Sequence, residues 1–186
     1  MQTLIINGSP RENGDSMTLV NEMIKYLEGS VQIINTYNSG ISPCTDCRYC
    51  MHNKGCCIDD EMQDVYKLLN EADNVIMSSP IYFSELSGQL LSFASRFQMF
   101  FASKYIRKDS TFSLKNKKGV LVISAGGSTD NFKNALSTAN IIFDEMNAKL
   151  IGTVMSVHTD KVPAQKDTAA LKKAREFAVI LNKANH

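Results

Sequence analysis

The feature that most constrains the fold of this chain is a regular alternation of short apolar runs with segments of helical period. A segment of helical period lies between successive apolar runs, and another such segment follows the last run. The first of these segments has its apolar residues at helical spacing, at Leu19, Val20, Met23 and Ile24. Short, continuously apolar runs are typical of strands buried on both faces, and strands separated by helices pair in parallel. The pattern predicts an α/β protein, a three-layer sandwich around a five-stranded parallel sheet, in a single domain of residues 1–186. The apolar runs are Thr3–Ile6, Val31–Asn35, Val75–Met77, Gly119–Ile123 and a run within Leu150–Val157.

Five strand–helix units are the number in the flavodoxin-like fold, for which the strand order 2-1-3-4-5 is expected. Sheets of this type bind ligands beyond the carboxyl ends of their strands, near the reversal of order between strands 1 and 3. An irregular, cysteine-rich stretch at about residues 38–60 interrupts the alternation. A loop of that length inside a compact domain usually has a function. We therefore expect function at the strand ends and in the cysteine-rich loop.

The loop after the first strand has the composition of a phosphate-binding loop. It contains Ser9 and Arg11, and the helix that follows begins with Ser16 and Thr18. Unpaired N–H groups at a helix N-terminus attract anions, and these side chains add hydroxyl donors and a positive charge. An ordinary helix cap needs only one such side chain. The loop therefore favours a bound phosphate over a simple cap.

The residues that the loop lacks narrow the class of phosphate. A nucleoside triphosphate loop needs a lysine after its last glycine, and none follows Gly14. Gly8 and Gly14 stand too far apart for a dinucleotide fingerprint. No cysteine is followed by arginine at the spacing of a cysteine-dependent phosphatase. A monophosphate ester held by hydrogen bonds fits best.

Two further strand ends have residues suited to a flat ring. Pro80, Ile81, Tyr82 and Phe83 follow the third strand, and Ala125–Gly127 follow the fourth. Core packing is the commoner fate of aromatic residues, but a position after a strand end and a proline favours ligand contact. The glycines allow the main chain to approach a ligand closely.

In combination, these three loops resemble those of the NAD(P)H-dependent FMN reductase family of flavodoxin-like proteins. The resemblance covers nearly the whole chain and implies that the first loop holds the phosphate of FMN. It implies that the isoalloxazine ring lies between the second and third loops. The chain departs from the family pattern in the next helix, where Gln89–Ser92 and Ala94–Arg96 replace the lysine and aspartate that relatives often have. The implied flavin contacts are Ser9, Arg11, Ser16, Met17, Thr18, Pro80, Ile81, Tyr82, Phe83, Ala125, Gly126 and Gly127.

All five cysteines lie between Cys44 and Cys57, in the spacing Cys44-x2-Cys47-x2-Cys50-x5-Cys56 with Cys57 adjacent. Four thiolates this close in sequence can converge on one metal ion or cluster. The spacing resembles that of the iron–sulfur flavoproteins, a branch of the same family. That resemblance implies that Cys44, Cys47, Cys50 and Cys56 hold a [4Fe–4S] cluster near FMN. The cluster would pass single electrons to and from the flavin.

Two other states of the cysteines remain open. Many flavin reductases of this kind have a cysteine-rich segment followed by an acidic helix start, matched here by Asp59–Met62. Such cysteines can be reduced or mutually oxidised thiols, often buried as small apolar residues. Four thiolates can also hold a structural zinc ion, although the two ligand pairs usually lie further apart.

Charge and composition restrict the partners. A net charge of +1 gives no reason to expect nucleic acid or an anionic membrane surface. No apolar run approaches the length of a membrane span, and the N-terminus lacks a basic, apolar signal segment, so we expect a cytoplasmic protein. The family resemblance implies a homodimer or homotetramer, because relatives complete the flavin pocket across a dimer interface.

The resemblance implies an FMN-dependent NAD(P)H oxidoreductase. Bound FMN would take hydride from the nicotinamide and pass electrons to a small acceptor such as a quinone, a nitro- or azo-aromatic compound, or free flavin. No acid or base side chain is required by this chemistry. The alternative is an electron carrier in which FMN and a [4Fe–4S] cluster relay electrons from a ferredoxin-like donor.

Overall fold

The computed structural model describes residues 1–109, 114–128 and 132–183. The strands are β1 (Gln2–Asn7), β2 (Ser30–Asn35), β3 (Asn74–Tyr82), β4 (Glu85–Leu86), β5 (Lys117–Ala125) and β6 (Ala148–Val157). The helices are α1 (Asp15–Ile24), α2 (Tyr49–His52), α3 (Met62–Glu71), α4 (Gly88–Ala94), α5 (Gln98–Phe101), α6 (Lys133–Glu145) and α7 (Thr168–Leu181). A 3₁₀ turn at Ser95–Phe97 joins α4 to α5, and a π-helix at Ala102–Arg107 follows α5.

The five long strands form one parallel sheet in the order β2-β1-β3-β5-β6. β4 is a short strand that pairs antiparallel with the end of β3, outside this order. When β4 is set aside, the observed order is the predicted 2-1-3-4-5. The predicted flavodoxin-like α/β fold is therefore confirmed.

Successive residues of the central strands enter two separate cores, one on each face of the sheet. In β1, Leu4 and Ile6 face the core under α3 to α6, whereas Ile5 faces the core under α1 and α7. The central strands are apolar on both faces because helices cover both faces. This burial explains why the strands lack the polar alternation of a half-exposed sheet.

Two element boundaries differ from the pattern expected from sequence. The apolar segment from Ser87 to Phe101 predicts one helix, but the chain tightens into a 3₁₀ turn at Ser95–Phe97. At that turn the Ser95 hydroxyl donates to the Ser92 carbonyl at 2.5 Å, a local bond of the kind that bends helices. β3 also continues past Pro80 to Tyr82, because it forms a hairpin with β4.

None of the helices in the described part of the chain is long and apolar enough to cross a membrane.

A substitution at Gly119 in β5 measures how tightly the sheet packs against α6. A Cβ at this position would lie 2.7 Å from the ring of Phe143, a fully buried side chain of α6. We expect Gly119→Ala to lower the free energy of unfolding by about 1–3 kcal/mol, since a rigid core has no room for the methyl group. Urea denaturation measures the change.

Gly88, the first residue of α4, is the matched control for that substitution. No heavy atom lies within 4 Å of a Cβ built there. Gly88→Ala should leave stability unchanged or raise it by up to about 1 kcal/mol. Equal losses in the two variants would contradict the packing argument.

Candidate flavin and cysteine sites

The parallel sheet brings the predicted ligand loops together at one edge. The Gly8 N–H donates to the Ser78 carbonyl at 2.8 Å, which ties the first loop to β3. The Ser87 hydroxyl, at the N-cap of α4, donates to the Gly8 carbonyl at 2.7 Å. A Cβ on Gly8 would lie 2.7 Å from the Cβ of Leu90, so α4 packs directly against the loop. The first loop is thus held between β3 and the start of α4.

At the start of α1, one buried hydroxyl has no partner. The helix begins after Gly14, which has no side-chain cap. Ser16 is 1% exposed, and its Oγ makes no hydrogen bond within the described residues. Burial of a hydroxyl without a hydrogen-bond partner costs free energy. A ligand that forms a hydrogen bond with the Ser16 hydroxyl would remove this cost. The N–H groups of the first helical turn and this hydroxyl fit the phosphate of FMN.

The other residues predicted for the phosphate occupy different environments. The Ser9 hydroxyl is engaged within the loop, because it accepts from the Arg11 N–H at 3.2 Å and donates to the Arg11 carbonyl at 3.1 Å. The Arg11 side chain is 70% exposed, with its guanidinium 4.0 Å from the Asp15 carboxylate. The Met17 side chain is buried, and its sulfur accepts from the Ser78 hydroxyl at 3.8 Å. Thr18 lies half-buried within α1.

The residues predicted for the second loop lie on the β3–β4 hairpin. Pro80 is buried and Ile81 half-buried, whereas Tyr82 is 43% exposed and Phe83 is fully exposed. Phe83 and Ser84 both have positive φ, at 52° and 66°. Non-glycine residues in this conformation carry strain, and such strain clusters at functional sites. The hairpin presents two aromatic rings to solvent at the ligand edge of the sheet.

In the third loop the glycines have distinct surroundings. Ala125 is buried at the end of β5, and its carbonyl accepts from the Thr159 N–H at 3.1 Å. A Cβ on Gly126 would lie 2.2 Å from a carboxylate oxygen of Asp160, whereas Gly127 has open space. A side chain at position 126 would have to displace the exposed Asp160 carboxylate, whereas position 127 leaves room for a ligand.

The five cysteines line a single cavity. Cys44, Cys47, Cys50, Cys56 and Cys57 all contribute to a space of about 160 Å³. Other residues of the same loop, among them Met51 and Ile58, also line it, and the opposite wall comes from the segment that follows α4, including Met99, Phe101 and Ile106. The loop places its cysteines on one cavity with the help of left-handed backbone at Asp46 and Arg48, on either side of Cys47, and at Gly55. The fold therefore places all five cysteines on one cavity.

The thiols are close enough to affect one another's protonation. A hydrogen bond from the Tyr49 N–H lowers the pKa of Cys47, and the contact with Cys57 lowers it further. Burial raises the pKa of Cys50, and the neighbouring thiols of Cys56 and Cys44 raise it more. A cation bound among these thiols would favour their deprotonated forms.

One part of this site was not predicted from sequence. Arg96 is 1% exposed and lines the cysteine cavity. Its guanidinium forms a bidentate ion pair with Asp60, at 2.7 and 3.1 Å, and donates to the carbonyls of Ser42 and Ile58. Ser42 precedes the cysteines and Ile58 follows them, so one side chain closes both ends of the loop. No local sequence pattern indicates that this arginine binds the cysteine loop. Its position in an apolar segment indicates only that the charge, if buried, must be paired with another group.

The same helix connects the two candidate sites. Ser87, before α4, contacts the phosphate loop at Gly8, while Ser95 and Arg96, after α4, hold the cysteine loop. The Ser95 hydroxyl accepts from the Cys44 N–H at 2.9 Å. The nine residues from Gly88 to Arg96, which form α4 and the start of the 3₁₀ turn, span about 14 Å. The cysteine cavity therefore lies one short helix away from the phosphate loop.

In residues 1–109, 114–128 and 132–183, no three His, Cys, Asp or Glu side chains are grouped as ligands of one metal ion. A four-iron cluster binds each thiolate to a different iron, so its ligands lie further apart than those of one ion.

The profile of the NADPH-dependent FMN reductase family matches residues 1–161 of this sequence. The chain therefore belongs to that family, which confirms the predicted family. Curated relatives are named iron–sulfur flavoproteins. The one from Methanosarcina thermophila is 28% identical over 180 residues, which cover 93% of this chain and 89% of the relative. One from Methanocaldococcus jannaschii is 33% identical over 122 residues, covering 64% of this chain and only 59% of the relative.

Solved structures with the same fold have low sequence identity to this chain. A flavone reductase has a TM-score of 0.72 at 17% identity, with 98% of this chain and 62% of that chain covered. An FMN-dependent NADH-azoreductase from Bacillus anthracis, in complex with FMN, has a TM-score of 0.69 at 14% identity, with 98% and 100% covered. These similarities show the fold.

The Asp60–Arg96 pair should contribute strongly to stability. Asp60→Asn leaves the buried guanidinium without its counter-charge, so we expect a loss of about 3–5 kcal/mol in the free energy of unfolding at neutral pH. Urea denaturation at neutral pH measures the loss. Asp64→Asn is the control, because Asp64 forms an exposed pair with Lys67 and should cost less than about 1 kcal/mol.

The contribution of this pair should also depend on pH. Burial raises the pKa of Asp60, but the Arg96 guanidinium and the N–H groups of Ser42 and Met62 lower it by more, to a net value below the usual range. A carboxyl whose pKa is depressed by folding stabilises fully above its unfolded pKa of about 3.9 and loses that effect as the pH falls further. The stability difference between wild type and Asp60→Asn should therefore narrow below about pH 4. A constant difference down to pH 2 would contradict this.

Proposed function

We propose that this protein is an FMN-dependent oxidoreductase in which four of the five cysteines, Cys44, Cys47, Cys50 and Cys56, hold a [4Fe–4S] cluster. NAD(P)H is the proposed electron donor, and a small molecule such as a quinone or a nitro- or azo-aromatic compound is the proposed acceptor. The observation that carries the proposal is the arrangement along α4. The helix begins against a loop with an unpartnered buried hydroxyl, and it ends at a cavity lined by all the cysteines.

Phosphate binding is assigned to the first loop. Ser16 supplies the buried hydroxyl, and Arg11 supplies a positive charge on an exposed side chain. Since the Met17 side chain is buried and the Ser9 hydroxyl is engaged within the loop, Met17 would contribute its backbone N–H. Thr18 adds a half-buried hydroxyl one residue further into α1.

Ring binding is assigned to the second and third loops. Pro80 and Ile81 would form a rigid floor, while the exposed rings of Tyr82 and Phe83 would shield one side of the flavin from water. Ala125–Gly127 would border the ring with main chain, because Gly127 has open space around it. FMN, when bound, supplies the redox chemistry, accepting hydride and releasing electrons singly or in pairs.

The cysteines would hold the cluster as thiolates within a largely apolar wall. Arg96 lines the cavity, and its bonds to Asp60 and to the carbonyls of Ser42 and Ile58 would hold the cysteine loop around the cluster. The Tyr66 hydroxyl donates to the Arg96 carbonyl at 3.0 Å, which fixes the chain at that wall. The names of the curated relatives support this assignment.

The second candidate is a flavin reductase with reduced thiols and no cluster. The contact between Cys47 and Cys57 favours it, because their sulfurs, 3.3 Å apart, are closer than two thiolate ligands of one metal ion. A dimer or tetramer that completes the flavin pocket is part of either proposal.

Removal of the phosphate contacts tests the flavin assignment. We expect Arg11→Ala combined with Ser16→Ala to weaken FMN binding by at least about tenfold, since each lost bond to a charged phosphate is worth about 1.5–3 kcal/mol. Fluorescence titration of the flavin-free protein with FMN measures the affinity. Ser30→Ala, at the exposed start of β2, is the control and should bind FMN normally.

Full flavin occupancy in the double variant, with an unchanged unfolding curve, would contradict the phosphate assignment.

Adjacent cysteines provide a sharp test of the cluster. Cys56 is half-buried, packs against the main core and lies near Tyr66, whereas Cys57 is exposed. We expect Cys56→Ser to lose most of its iron and acid-labile sulfide after anaerobic purification, because one of four ligands is removed. Cys57→Ser should retain the wild-type content.

Equal iron content in both variants would contradict the proposed ligand set. Wild-type protein that takes up FMN but contains no iron or sulfide after anaerobic reconstitution would favour the second candidate.

A further inference from the structure

We propose that Cys47 and Cys57 form a reversible disulfide when the protein meets hydrogen peroxide, so that this pair is an oxidation site that shares Cys47 with the proposed four-thiolate set. The proposal rests on the chain's own sulfur atoms and holds whether or not the protein contains a cluster.

The two sulfurs are already in contact. The Sγ atoms of Cys47 and Cys57 lie 3.3 Å apart, and both residues are exposed. A disulfide bond is about 2.05 Å long, so the sulfurs need to approach by little more than 1 Å. Neither residue belongs to a helix or strand, and Gly55 nearby has left-handed backbone with open space around it. The bond can therefore form without breaking the hydrogen bonds of a helix or sheet.

The other three cysteines are less suited to this reaction. Cys44, Cys50 and Cys56 are half-buried. The Cys44 backbone is held by Ser95, and the Cys50 carbonyl accepts from the Arg107 guanidinium. Peroxide in solution thus meets Cys47 and Cys57 first.

The reaction balances with peroxide as the two-electron oxidant. One thiolate of the pair attacks a peroxide oxygen, the O–O bond breaks, and a sulfenic acid and water result. The second thiolate attacks the sulfenic sulfur, the S–S bond forms, and a second water leaves. Both sulfurs are oxidised by one electron each, and the peroxide is reduced to two waters. A dithiol reductant reverses the bond by thiol–disulfide exchange.

The contact also bears on metal binding. Two thiolates that bind one metal ion at about 2.3 Å in tetrahedral geometry lie about 3.8 Å apart, and ligands of different irons lie further apart. At 3.3 Å, Cys47 and Cys57 are closer than a pair of ligands. The disulfide would withdraw Cys47 from the proposed ligand set. Where the cluster is present, peroxide should therefore release iron as the bond forms.

The full-length variant Cys44→Ser/Cys50→Ser/Cys56→Ser isolates the pair, because Cys47 and Cys57 are then the remaining cysteines. The control, Cys47→Ser/Cys50→Ser/Cys56→Ser, keeps Cys44 and Cys57, which form no sulfur contact in the part of the chain that the structure describes. Both reduced proteins are treated with one equivalent of hydrogen peroxide. Free thiols are counted over time, and intact masses and tryptic peptides are measured without reduction.

We expect the first variant to lose both thiols and two hydrogen atoms of mass, with a cross-link between peptides 26–48 and 55–67. The yield of intramolecular cross-link should be at least about tenfold higher than in the control, because the second thiol is held at contact distance from the sulfenic sulfur. Dithiothreitol should restore both thiols. Addition of oxygen atoms without a cross-link, or equal cross-link yields in the two variants, would overturn the proposal.

A second test uses wild-type protein from which iron has been removed, treated with peroxide in the same way. It keeps the proposal testable if a variant does not fold. Fragmentation of the cross-linked peptides should place the bond at Cys47 and Cys57, and a bond between any other two cysteines would overturn the proposal. Absence of iron in freshly purified wild type would count against the proposed cluster alone, since this cross-link forms without it.

Discussion

The parallel register of β1, β3 and β5 is the constraint on which the proposed flavin site depends. Because these strands run in the same direction, the loops that follow them end at one edge of the sheet. The hydrogen bond from Gly8 to Ser78 and the bond from Ser87 to Gly8 then lock the first two loops together. A ligand at this edge would meet a helix N-terminus, two exposed aromatic rings and a glycine loop without any change in the sheet.

A second constraint, the buried guanidinium of Arg96, organises the cysteines. The segment between β2 and α3 contains only one short helix and has few backbone bonds of its own. Arg96 compensates by binding Asp60 and the carbonyls of Ser42 and Ile58 on either side of the cysteines. Since Arg96 lies in the turn that follows α4, the cysteine cavity is positioned relative to the same helix that contacts the phosphate loop. This shared helix supports the proposal that the two sites form one electron-transfer unit.

The fold was predictable from the sequence because burial on both faces leaves a strong pattern of apolar strands between amphipathic helices. The three loops were predictable for the same reason, since they must follow those strands. The β3–β4 hairpin was not, because Phe83 and Ser84 occupy left-handed positions where glycine or asparagine is the usual signal. The ion pair between Arg96 and Asp60 joins residues far apart in sequence, and local sequence patterns do not indicate such pairs. The contact between Cys47 and Cys57 depends on the geometry of the loop, which the spacing of the cysteines does not indicate either.

The most direct test of the account is the visible absorption spectrum of protein purified without oxygen, before and after addition of NADPH. The account predicts flavin bands on top of a broad absorbance that extends to long wavelength, with both decreasing on reduction. Flavin bands alone, in protein whose five cysteines all titrate as free thiols, would contradict the proposed cluster. A colourless protein that does not take up added FMN would contradict the flavin site as well.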